Sequence, residues 1–157
     1  VLAKNVYDRQ DYVYNLRNRL EKQLAKVHLM AKFAWDNGAQ EAEMKPILQL
    51  IRKSQWRWDF ITASHGAAFH APIESQRVLG DGMYYAMQAE QGINDWILKK
   101  DVTAKFVMSD ISTKAKAQQY IGLDIPKEKA AKEKFLKDVV PQWLQKAKEK
   151  GLLITKN

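Results

Sequence analysis

The side chains best able to do chemistry crowd into one stretch, Gln55 to Glu74, which reads QWRWDFITASHGAAFHAPIE and holds two of the three histidines. His65 and His70 lie five residues apart. On an unbroken helix of 3.6 residues per turn they point roughly 140° apart, so they share one ion only if the helix breaks between them. Cysteine is absent. That removes thiolate metal sites, disulfides, a nucleophilic thiol and CxxCH attachment from this chain. A compact zinc site is therefore weakly supported.

The chemistry left to such a histidine is to hold one axial position on a haem iron. Its Nε2 binds the metal while the other ring nitrogen donates to a carbonyl or carboxylate. From spacing alone, a lone histidine beside aromatics is more often a satisfied structural residue. His70 does better, because Pro72 makes the chain turn there and the ring can project clear of both flanking helices. Gly66 and Ala67 clear space nearby, and Phe69 can pack on a flat macrocycle. His28 reads as a packing or capping residue. Trp56 and Trp58 cannot face the same way, so one is expected in the core and the other at a helix interface or cofactor edge.

The elements that must position this stretch read as helices throughout. The expected fold is all-α, with long antiparallel helices over about 7–37, 41–69 and 72–100 and shorter ones over 112–120 and 126–150. Val13, Leu16, Leu20, Leu24, Val27, Ala31 and Ala34 recur at steps of three and four, which makes one apolar stripe; Arg17, Arg19 and Lys22 are assigned to the other faces. Asn37-Gly38 supplies a helix stop. Gln40 is a poor N-cap for the second helix, and Pro46 bends or delays it. The third helix opens at Pro72 and carries small residues, Gly82, Ala86 and Ala89, along its stripe. Glycine inside a helix costs roughly 1 kcal/mol relative to alanine, so close approach of a helix or flat ligand is expected at Gly80, Gly82 and Gly92. Ser112 is expected to cap the fourth helix, Pro141 to kink the last, and a short tail to follow Gly151. No linker or repeat appears, so residues 1–157 read as a single helical unit.

Composition narrows the function. The chain has 157 residues, 46% hydrophobic and 28% charged, which suits a packed domain. No apolar run is long enough to span a bilayer. The net charge of +8 comes from lysines mixed with acids through the last third. Aromatics are not interleaved with them as base stacking requires, so nucleic acid is not an expected partner. No phosphate-binding loop, nucleophile elbow or HExxH motif is present. No catalytic residue is assigned.

Several segments carry a resemblance. EAEMKPI, QWRWD, ASHG followed by HAPIE, SDISTKAKAQQYIGL, and VVPQW with the GLL ending resemble, in that order, the C-terminal part of pentahaem cytochrome c nitrite reductase, over nearly the whole chain. The resemblance implies a periplasmic, six-electron reduction of nitrite to ammonium. Haem c would be attached by sequence outside this chain, and calcium expected in that upstream part. The HAP histidine falls on His70, implied to be an axial haem iron ligand. The ASHG histidine falls on His65, implied to support it from behind or to be an alternative ligand. Implied partners are the N-terminal haem-bearing region, a second copy docked through the long helices to form a homodimer, and an electron-donor cytochrome or quinol-oxidising protein. The stripe of Gly82, Ala86 and Ala89, or the leucine stripe of the first helix, is the expected dimer face. The rival reading is a non-enzymatic, self-associating helical module.

Overall fold

Apolar spacing of three and four residues continues through the first hundred positions, and three long helices result. In the computed structural model, which describes residues 2–152, the elements are α1 (Leu2–Asp36), α2 (Glu41–Ala63), α3 (Ala67–His70), α4 (Pro72–Lys99), α5 (Lys114–Tyr120), α6 (Ile125–Asp138) and α7 (Val140–Glu149). The fold is all-α, with no strand among the described residues. By contacts the chain divides into two compact units, Val1–Met108 and Ser109–Asn157, where the sequence was read as one. Each is described by itself.

In the first unit, α2 packs on α4, and α1 packs on both. The pairings set the directions. Ser54 meets Gly82, Ile47 meets Gly92 and Glu43 meets Trp96, so α2 and α4 run antiparallel. Leu20 meets Gly82 and Lys26 meets Glu90, so α1 and α4 run parallel. The core has two clusters. One gathers Val27, Met30, Ala34, Met44, Ile47, Ile51, Ile93 and Trp96; the other, nearer the histidines, gathers Val13, Leu20, Leu24, Ile61, Leu79 and Ala86. The predicted α1 stripe is buried apart from Leu16, which is half-buried.

Small residues on α4 do bring backbones together, though not at every glycine. A Cβ on Gly82 would lie 2.7 Å from Leu20 Cδ2, and one on Gly92 would lie 3.1 Å from Ile47 Cγ1, whereas Gly80 has nothing within 4 Å. The buried Ser54 hydroxyl donates to the Gly82 carbonyl at 2.8 Å, a bond that the close approach permits. These stripes are consumed inside the unit. Gly82, Ala86, Ala89, Leu20 and Leu24 are all buried, so neither expected dimer face is free to meet a second copy.

Helix ends depart from expectation for local reasons. α1 begins at Leu2 rather than near residue 7 and ends at Asp36. Gln40 serves as a cap after all, because the Glu43 carboxylate accepts its backbone N–H at 3.0 Å. α2 stops at Ala63, not at Phe69. Gly66 takes a left-handed φ of +84°, which no right-handed helix can pass through, so the chain restarts as the single turn α3. Pro72 then opens α4.

In the second unit Thr113, not Ser112, caps α5 by accepting the Lys116 N–H; the Ser112 hydroxyl instead donates to Asp110 at 2.7 Å. Asp124 caps α6. The expected helix over 126–150 breaks at Val139, because Pro141 has no N–H to continue α6 and suits the first turn of α7. Phe135 and Trp143 meet edge to face across that break at 5.3 Å. No described residue of this unit is buried. The tail expected after Gly151 lies, past Leu152, outside the described residues.

Candidate functional site

His70 is the last residue of α3. Its backbone N–H bonds to the Gly66 carbonyl at 2.9 Å, and the Ser75 hydroxyl donates to the Ala71 carbonyl at 2.9 Å, tying the corner to the first turn of α4. The imidazole is exposed. Phe69 stands edge-on to it, ring centres 4.8 Å apart and planes at 86°. The missing side chain of Gly66 is what makes room, since a Cβ there would come within 3.2 Å of His70 Cδ2 and 3.7 Å of Nε2. The ring thus leans against a glycine cradle, beside an aromatic edge, with an open side.

These features fit a haem c in part. An accessible imidazole clear of any hydrogen bond to a described residue is a suitable axial donor. A chain without cysteine does not itself supply the thioether bonds of a haem c.

His65 sits in the turn between α2 and α3, also exposed. The helix does break between the two histidines, yet no group of three or more His, Asp or Glu side chains among the described residues is arranged to hold a metal ion. His65 instead lines a cleft of about 330 Å³ between the start of α1 and the corner, together with Gln10, Tyr14, Arg17, Thr62 and Gly66. Arg17 lies over the Tyr14 ring at 4.6 Å. Its Nε and the Thr62 hydroxyl are buried without a hydrogen-bond partner among the described residues.

Arg17 and Thr62 were missed from the sequence, and Arg17 was assigned to the wrong face. It stands four residues after Val13 and three before Leu20, hence on the apolar stripe. A cation at such a position was the available signal.

Of the tryptophans, Trp58 packs on the core cluster near the histidines, while Trp56 is 70% exposed. Trp56 borders a groove with Phe60, Arg57 and Arg77. His28 is exposed and shares a shallow groove with Trp58 and Gln55. Among the described residues no helix is long and apolar enough to cross a membrane.

The family model described as cytochrome c552 matches residues 1–152. Curated relatives named cytochrome c-552 include one from Bacteroides thetaiotaomicron, 57% identical over 155 residues, and one from Bacteroides fragilis, 56% identical over 152. A third, from Porphyromonas gingivalis, is 56% identical over 153 residues. These alignments cover 97–99% of this chain and 31% of each relative, so the chain spans about a third of their length. The match corrects the resemblance drawn from the motifs. The family is described as cytochrome c552, and neither its description nor the relatives' names carry a count of five haems or nitrite reduction.

Proposed function

We propose, from the premise that the chain belongs to the cytochrome c552 family and so to the haem-bearing electron carriers, that His70 donates its Nε2 to the iron of a haem c held by polypeptide outside these residues. The observation that carries this is the presentation of the ring: exposed, free of hydrogen bonds to described residues, backed by Gly66 and flanked by Phe69. When bound, the haem supplies one-electron chemistry. The residues here aim and support the imidazole. The α3 turn fixes its direction, Phe69 offers an edge to a flat ring, and the Ser75 bond keeps the corner from opening. His65 acts beside it as a lining residue of the neighbouring cleft.

For the whole protein, the reaction we propose is six-electron reduction of nitrite to ammonium in the periplasm, fed by an electron-donor cytochrome or quinol-oxidising partner. Its support is the family match over residues 1–152, which makes electron transfer the chemistry the whole protein supplies. Calcium, if used, belongs with other polypeptide. Self-association remains part of the reading on different grounds from those first expected. Ile73, Tyr84, Met87 and Leu98 are each more than half exposed, and their spacing puts them on one outer stripe of α4.

The test is His70→Ala in the full-length, haem-loaded protein. One low-spin haem signal is expected to be lost or to turn high-spin in the electron paramagnetic resonance spectrum. A spectrum identical to the parent overturns the assignment. Nitrite added to the reduced protein is expected to oxidise it and yield ammonium; absence of turnover removes the reaction and leaves the ligand role standing.

A further inference from the structure

Arg17 and Thr62 line the same cleft, and Arg17 Nε and Thr62 Oγ1 are buried there without a partner among the described residues. A buried donor left unpaired is costly, so two on one wall call for an acceptor from outside. A planar guanidinium suits a carboxylate, which it can engage with two parallel bonds. The Tyr14 ring, 4.6 Å from the guanidinium carbon, steadies that fork before anything binds. Gln10 and His65 stand at the rim with further polar groups, and Asp11 opposes them with a negative charge. Asp11 is exposed, so water and salt screen it more than they screen Arg17.

The cleft and the proposed ligand share one residue between them. Gly66 lines the cleft, and the space left by the missing Gly66 side chain lies 3.7 Å from His70 Nε2. The geometry points to Arg17, aided by Thr62, as a positioning residue for a propionate of the same haem that His70 ligates. This rests on the His70 reading. The cation neutralises the carboxylate beside the iron and so favours the reduced, electron-richer state.

The measurement is a spectroelectrochemical titration of the full-length, haem-loaded protein, following the component that His70→Ala removes. Arg17→Gln is expected to lower its potential, changing the reduced-to-oxidised ratio at a fixed poise about tenfold, or about 59 mV for one electron. Arg17→Lys, which keeps the charge, is expected to retain most of the parent value. An unmoved potential in Arg17→Gln overturns the proposal; it is the result a carboxylate side chain of surrounding polypeptide in the cleft would give. Equal falls in the Gln and Lys variants also overturn it, because packing and not charge would then be responsible. If Arg17→Gln fails to load haem, Thr62→Val carries the test by the same readout: a smaller fall supports the assignment and an unmoved potential ends it. Failure of the His70 reading is separate and appears first, as a His70→Ala protein that has lost no low-spin component.

Discussion

Gly66 combines a left-handed backbone with contact against the His70 ring. Gly66→Ala therefore meets strain and a clash together. A loss of about 1–2 kcal/mol is expected from the backbone alone, read as a lower urea midpoint, with a disturbed haem spectrum in the loaded protein. Glu43 makes a second prediction. Its carboxyl is held down at about 2, from an ordinary 4.5, by hydrogen bonds from Lys100, from the Gln40 backbone and from the Trp96 indole. A carboxyl with a depressed folded pKa stabilises the protein above its unfolded pKa and loses that contribution as pH falls toward the folded one. Urea midpoints should thus decline between about pH 4.5 and pH 2. Glu43→Gln should lower the midpoint at neutral pH and flatten that decline. At this scale the turn after His70 was legible in the sequence because Pro72 marks it. Arg17 was not, because a charged side chain was assigned outward by type although its spacing put it inward.

Among the helices, the glycines of α4 separate close packing from idle composition. Gly82→Ala would drive a methyl against Leu20 and the Arg57 Cβ at 3.3 Å, both anchored in packed surroundings. A loss of about 1–3 kcal/mol is expected from overpacking. Gly80→Ala meets nothing within 4 Å and should stabilise the helix by about 1 kcal/mol. Thermal melts of the two variants should move in opposite directions; a shared direction would show that α4 is not seated as described. The existence of five helical segments could be read from periodicity, and prolines located two of their starts, at Pro72 and Pro126. The end of α2 could not. Apolar residues continue through Ala68 and Phe69, and the helix is ended by backbone geometry that spacing does not report, Ser64 at ψ 83° and then Gly66 at φ +84°.

At the level of the whole chain, the two units differ in what holds them. The first has two buried clusters, whereas the second has capped helices and an aromatic pair but no buried described residue. Segments without buried contacts open most easily. Limited trypsin digestion of the 157-residue chain is therefore expected to cut within 109–152 before it cuts α1, α2 or α4, with the fragments identified by mass. Sequence composition hid this contrast, because Phe135, Leu136, Trp143 and Leu144 look like core residues and are exposed. Within the first unit, the perch of His70 is set by a left-handed glycine on one side and a proline ring on the other, and neither needs a porphyrin to adopt its shape. On the ligation proposed for His70, a polypeptide still lacking its cofactor would already hold the imidazole in place, and haem insertion would be a docking event and not a refolding one.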